Sequence, residues 1–394
     1  MNGKAVSESH SAARRSCVPM IYVKGSHYDV GYDIGRTFSK LIHANINSLS
    51  ELQSVYIPLY NTAEGKRIYE ETLEAVRCSY PQYIRELQGI ADGAEIAFYK
   101  LFLLHLDDIL PNVAGGFNTN EGQGCSTIIL NQHDQVIGHN EDAKKEILNN
   151  VYVMQACITE VEPPEVFTAF CYAGQLPGYA MGYNPYFAFS INVIGAKHLA
   201  SGKIPRCFAT RAMLGANSLE RIEQILRYCN GGVADAMSIN LALFQNDDNP
   251  LMYNVEVSPV YPAANEAGYS IISIKKGEHF FHCNRFLHLN VAEDGKLIKS
   301  SEHRQKIKDS LREPLCQEDV LNILGDDSQD CLNIFRNGID EPIMTIATAI
   351  FNFTDKTWSL FMDNPKRNDP VSVLSIDGSS SRLCENCDQS RWTE

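Results

Sequence analysis

The sequence lacks any apolar run near the ~20 residues that a helix needs to cross a bilayer, so no membrane span is expected. It has no basic stripe. Lys and Arg number 34 against 48 Asp and Glu, a net charge of −14, which argues against a nucleic-acid partner. The first sixteen residues hold charges and small polar side chains but no apolar h-region, so no secretory signal is expected. Arg391, Trp392, Thr393 and Glu394 at the other end form no peroxisomal or lipidation signal. Twelve cysteines are scattered through a long chain without the density of a disulfide framework. The expectation is a reducing, cytoplasmic setting with mostly free thiols. No glycine run matches a phosphate loop or a dinucleotide fingerprint. His282–Cys283 and the Cys384/Cys387 pair lack partners at zinc spacing. No metal and no cofactor are expected.

What is present fits a globular protein with a large core: 394 residues, 44% hydrophobic and 21% charged. Residues 1–18 are polar and unpatterned and are expected to be disordered. A short strand is expected at 19–23, then helices at 28–55, 64–78, from Pro81, and at 97–110, the last ended by Pro111. A Gly/Asn-rich loop covers 113–124. From Cys125 the character changes to strands, at 125–130, 135–140, 151–156, 166–170, 187–193, 237–244, 251–257 and 269–275, with a hairpin at 344–352 and 357–362. Helices are expected at 218–228, 301–311 and 317–324, and a polar tail closes the chain. Helices first and then strands joined by short turns predict an α+β protein with mainly antiparallel sheets.

The stretch that points to chemistry is Gly122, Gln123, Gly124, Cys125 and the β-branched run after it. A thiol behind unhindered glycines can attack the carbonyl before it. If the Gly124–Cys125 bond breaks, the new α-amino group, with a pKa of ~7.7–8.0, can serve as a base near neutral pH. The alternative is a buried structural cysteine at a strand start. Gly138, His139, Asn140, Glu141 and Asp142 end the second strand of the same hairpin. Alternation sets Asn140 and Asp142 on one face, His139 and Glu141 on the other. Asp142 could orient a terminal amine or a cationic substrate, or lie in a solvated turn. Asn192 and Asn284 each follow apolar strand residues; a buried amide there donates to an oxyanion or to a structural partner. Arg304 follows Ser300 and Ser301, read as a helix cap, and either holds Asp142 or makes a surface ion pair.

Taken in order, Gly-Cys, Gly-x-Asn-x-Asp, a strand Asn, Asn-Arg and Ser-Ser-x-x-Arg resemble the N-terminal-nucleophile amidases of the penicillin acyltransferase-like family. Val23 to Gly31 and Gly35 are similar to that family's opening segment, and the likeness spans roughly 19–365. The resemblance implies a four-layer αββα sandwich with two stacked, mainly antiparallel sheets. It implies a precursor that cuts itself at Gly124–Cys125. An α subunit (19–124) and a β subunit (125–375) would remain as a heterodimer, flanked by a flexible start (1–18) and tail (376–394). Cys125 would be nucleophile and, through its freed amine, base; Asp142, Asn192, Asn284 and Arg304 would complete the site, the two asparagines as oxyanion donors. His139 stands where bile-salt hydrolases place an arginine and the penicillin enzyme a glutamine, so specificity does not carry over from them. The likeness to β-alanyl-amine hydrolases of the family implies small β-alanyl amines as substrates: N-β-alanyldopamine, giving dopamine, and carcinine, giving histamine. His139, Asn140, Glu141, Glu256 and Arg285 are candidate substrate-binding residues, with Glu141, Asp142 or Glu256 facing the ammonium. The alternatives are an acyltransferase of this fold and an unprocessed amine-binding protein.

Overall fold

Two apolar-polar alternating segments on either side of an Asn131–Asp134 turn pair as an antiparallel hairpin, and the protein is layered around it. The computed structural model describes residues 13–117, 124–244, 250–260, 266–293, 295–337 and 341–376. The N-terminal residues 1–12, Gly122, Gln123, and the Cys384/Cys387 tail lie outside these. Strands are numbered in chain order. One sheet has eight: β1 (Met20–Gly25), β4 (Val151–Ile158), β5 (Glu165–Tyr172), β6 (Met181–Tyr183), β7 (Phe187–Ile194), β8 (Ala236–Leu243), β9 (Leu251–Val257) and β10 (Tyr269–Ile274), adjacent in that order. The other runs β11-β2-β3-β12-β13-β14, with β2 at Gly124–Asn131, β3 at Gln135–Lys144, β11 at Glu278–His282, β12 at Ile343–Asn352, β13 at Thr357–Phe361 and β14 at Ser372–Ser375. Every pairing is antiparallel except β1 with β4. With helices outside two stacked sheets, the architecture is the α+β sandwich expected.

The period of two divides each strand between two cores. Ile129 and Ile137 point into the main core between the sheets, whereas Ile128, Leu130 and Val136 point outward under Ile307, Val320, Ile323 and Leu324. Those four belong to helices Gly295–Ser310 and Gln317–Leu324. Gly138 lets the second helix approach: a Cβ there would meet Val320 at 2.5 Å.

On the far side, His27–Thr37 begins with a capping box between Ser26 and Asp29. It packs on Pro81–Ala94 through glycines; a Cβ on Gly31 would lie 2.0 Å from the Glu86 carbonyl oxygen.

Four expectations are corrected. The helix expected over 28–55 breaks at Phe38, whose ring stacks on Tyr152 of β4 at 4.3 Å and draws the backbone out of helical geometry; it resumes at Ser39–Ser48. Pro111 does not end a helix. It lies in the first turn of Ile109–Gly115, where its missing N–H costs no bond. Ser300 and Ser301 are inside a helix that starts at Gly295, not caps. Residues 13–18, though mostly exposed, are tied down: Arg14 donates to the Met362 carbonyl at 2.8 Å, the Arg15 N–H to Asn149 Oδ1 at 3.0 Å, and Val18 is buried. Nine described cysteines are free thiols, and Cys157 is disulfide-bonded. No helix among the described residues is long and apolar enough to cross a membrane.

Candidate active site

Cys125 is the second residue of β2 and lies directly across from Glu141 of β3; Gly124 is across from Asp142 and Thr127 from His139. The pleat therefore sends Cys125, Thr127, His139 and Glu141 between the sheets, and Ser126, Asn140 and Asp142 to the helix-covered face. This is the division expected from the sequence. It also sorts the two carboxylates. Glu141, not Asp142, faces the thiol, with the Cys125 Sγ 3.5 Å from Glu141 Oε2.

The backbone of Cys125 is gripped from both sides. Its N–H donates to Asn284 Oδ1 at 3.0 Å. Arg304 donates from Nη1 to the Cys125 carbonyl and to Ser126 Oγ (2.9 Å), and from Nη2 to Asn284 Oδ1 at 2.6 Å. Asn284 is itself fixed, its Nδ2 donating to the Val193 carbonyl at 2.8 Å and its N–H to Ser301 Oγ at 3.0 Å. Asp142 accepts from Thr345 through Oδ1 at 2.7 Å. Its Oδ2 makes no hydrogen bond; it lies 3.6 Å from Arg336 and 3.9 Å from Arg304, and a Cβ on Gly124 would lie 3.2 Å from it. A carboxylate oxygen thus stands beside the Gly124–Cys125 peptide with spare acceptor capacity.

Around the thiol, Glu141 accepts from Tyr172 Oη at Oε1 and lies 2.9 Å from His139 Nε2 at Oε2. His139 Nδ1 meets Thr127 Oγ1 at 2.8 Å, and Thr127 donates to Asn192 Oδ1 at 2.8 Å. Asn192 also accepts from Asn240, which accepts from Asn254. Burial, then the charges of Glu141 and Asp142, push the Cys125 thiol well above its ordinary range, while the Val193 backbone N–H and Arg304 oppose this. An intact, buried Cys125 is accordingly a thiol and needs a base.

Cys125, Gly124, Glu141, Asp142, Tyr172, Tyr179 and Val193 line a narrow cavity of about 50 Å³. Glu51, Lys144 and Asp107 line it too; Glu51 pairs with Lys144 at 2.5 Å. Behind Tyr179, the buried Arg206 pairs with Asp108 and Asp235 and also feels the charge of Asp107. Cys125, His139 and Glu141 place one ligand atom each within 4.8 Å of one another, a set able to hold a metal ion.

With this geometry in view, comparison with known proteins is informative. Residues 130–367 match the family model described as acyl-coenzyme A:6-aminopenicillanic acid acyl-transferase. The beta-alanyl-dopamine/carcinine hydrolase of Drosophila melanogaster is 42% identical over 377 residues, covering 92% of this chain and 97% of that protein. The chain belongs to this acyl-transferase family.

Within this family member, the structure gathers Cys125, Asp142, Asn284 and Arg304 into one hydrogen-bonded and ion-paired group, and joins Asn192 to it through Thr127 and His139. Each asparagine amide also makes a structural hydrogen bond. The Nδ2 atoms of Asn192 and Asn284 each give one hydrogen to a main-chain carbonyl, that of His282 (3.3 Å) and that of Val193, and each keeps a second N–H. Three expected substrate-binding residues lie elsewhere. Asn140 donates to the Leu324 and Ile334 carbonyls on the outer face. Glu256 accepts from the N–H groups of Leu287, His288 and Leu289 and from His282, holding a loop. Arg285 pairs with Glu302 at 3.0 Å on the surface. Sequence reasoning missed Tyr172, Thr127, Arg336 and Asp107. Thr127 was legible from its period-two spacing to Cys125; Tyr172, from the opposite sheet, had no local signal.

Proposed function

We propose that this protein is a self-processing cysteine amide hydrolase that cuts Gly124–Cys125 and then hydrolyses β-alanyl conjugates of biogenic amines. The observation that carries the reading is the grip of Asn284 and Arg304 on the N–H and carbonyl of Cys125, with the thiol lining a narrow cavity. A merely structural cysteine has no use for a buried arginine on its carbonyl and an unbonded carboxylate oxygen beside its peptide bond.

In the mature enzyme the freed α-amine of Cys125 would replace the amide N–H at Asn284 Oδ1, with Asp142 Oδ2 near enough to hold its positive form. The amine takes the thiol proton and the sulfur attacks the substrate carbonyl. The Val193 N–H, which faces the sulfur, is the available main-chain donor for the developing oxyanion. The protonated amine passes its proton to the departing amine, and water cleaves the β-alanyl thioester. The name of the Drosophila relative supports β-alanyl-dopamine and carcinine as substrates. The acidic lining of the cavity, with Glu51, Asp107, Glu141 and Asp142, suits the ammonium of a β-alanyl group.

The test is intact-mass measurement of purified protein together with hydrolysis of carcinine and N-β-alanyldopamine. Two fragments meeting at Gly124/Cys125 and release of β-alanine are expected, both abolished in Cys125→Ala. An inert, uncut wild-type chain would sink the reading. Acyl transfer is the second reading, favoured by the description of the family model. New amides formed when a competing amine is added would establish it; β-alanine alone would exclude it.

A further inference from the structure

The hydrolysis proposed above uses an amine that does not yet exist when the chain first reacts. While Gly124–Cys125 is intact, the Cys125 nitrogen is an amide that donates to Asn284 Oδ1. Its lone pair is delocalised into the Gly124 carbonyl and takes up no proton near neutral pH. The thiol is pushed well above its ordinary range by burial, so it does not ionise on its own near neutral pH. The first reaction needs a different base.

Four carboxylates line the cavity: Glu51, Asp107, Glu141 and Asp142. Glu51 is paired with Lys144. Asp142 leaves β3 on the opposite face, across from Gly124, between Thr345, Arg304 and Arg336. Of these four carboxylates, Glu141 is the one hydrogen-bonded to the sulfur, at 3.5 Å. We propose that Glu141 is the proton acceptor of the self-cleavage step, a role that rests on the self-processing reading and ends when Cys125 gains its own amine.

The step balances without a cofactor. Glu141 Oε2 takes the Sγ proton, and a sulfur lone pair forms the bond to the Gly124 carbonyl carbon. The tetrahedral adduct collapses by breaking the C–N bond to Cys125. Glu141 returns its proton to the leaving nitrogen, which becomes the free amine. Gly124 is now held as a thioester on Cys125. Water then attacks that thioester, releasing the Gly124 carboxylate and the thiol, with the new amine as base. Glu141 ends as it began.

The surroundings of Glu141 keep its carboxylate aimed. Tyr172 fixes Oε1. The chain from Asn254 through Asn240 to Asn192 orients the amides so that Thr127 donates to Asn192. The Thr127 oxygen is then left to accept from His139 Nδ1, and for Glu141 to be a carboxylate the ring must also donate from Nε2 to Oε2, both nitrogens carrying hydrogen. His139 and Tyr172 are positioning residues in this scheme. They reach Glu141 from β3 and from the second sheet, so the base is assembled only when the two sheets have stacked.

The test is a chase of freshly translated full-length chain, with cutting followed by intact mass. Glu141→Gln is expected to slow cutting about a hundredfold or more, the usual loss for a removed general base. Its rate should recover about tenfold per pH unit as solvent takes over and the thiol ionises. Turnover of carcinine per cut chain should fall far less. Glu141→Asp, which keeps the carboxylate but withdraws it, should lie between the two and covers the case in which the glutamine variant does not fold. Cutting at the wild-type rate in either folded variant would overturn the proposal, as would equal losses in cutting and in turnover per cut chain. A wild-type chain that never cuts would instead remove the reading beneath it.

Discussion

Asn284 Oδ1 lies 3.0 Å from the backbone nitrogen of Cys125, and the same oxygen accepts from Arg304. One side-chain oxygen from just beyond β11 thus holds the atom that the proposed self-cleavage makes first a leaving group and then a base. Asn284→Ala would strand both a buried N–H and a buried guanidinium hydrogen. A lost buried partner costs about 1–3 kcal/mol. The expected outcome is slowed cutting by at least about tenfold and a lower melting temperature, read by intact mass and calorimetry on the same sample.

Arg304 is fully buried and reaches Cys125, Ser126 and Asn284 with one planar fork. Lysine carries the charge but cannot span those three acceptors. Arg304→Lys should therefore lose about a hundredfold in the rate of cutting or of turnover while retaining the fold. Parallel measurement of both rates and of the far-ultraviolet spectrum checks it.

The pH dependence of stability should show a buried neutral histidine that ties Leu101 to Leu176 across the Gly124–Cys125 bond. His105 Nδ1 meets the Leu101 carbonyl at 2.8 Å, and its Nε2 accepts from the Leu176 N–H at 3.0 Å. Burial pushes the imidazole down to about 4 from 6.5. Above pH 6.5 both folded and unfolded forms are neutral and this group contributes no slope. As the pH falls from 6.5 toward 4, the unfolded chain takes up a proton that the folded one refuses, and stability drops by up to about 3 kcal/mol. His105→Gln, which can still accept from Leu176, should flatten the melting temperature over that range.

The glycine seam between His27–Thr37 and Pro81–Ala94 should tolerate no side chain. Gly31→Ala places a methyl 2.0 Å from the Glu86 carbonyl oxygen. Overpacking of this kind costs about 1–3 kcal/mol. Gly295→Ala, with nothing within 4 Å, is the control and should leave the denaturation midpoint unchanged.

The parts of this fold that were legible in the sequence are those fixed by local pattern. Leu251–Val257 was read to the residue, and the β2–β3 hairpin followed from its alternation and turn. The same alternation separated Glu141 from Asp142. The ordered motif spacing pointed to Asn284 and Arg304, although each alone read as a structural amide or a surface arginine. What local pattern cannot carry is contact between distant strands. The break at Phe38 depends on Tyr152, the aim of Glu141 on Tyr172, and the use of Glu256 on three amides thirty residues away. The structural bonds of Asn192 and Asn284 were hidden for the same reason: their acceptors are main-chain carbonyls of other strands.

The most direct test of the central claim is the intact mass of freshly purified wild-type protein and of Cys125→Ala. The account predicts two wild-type species, one ending at Gly124 and one beginning at Cys125, and a single uncut chain for the variant. A single full-length species from active wild-type protein would contradict it.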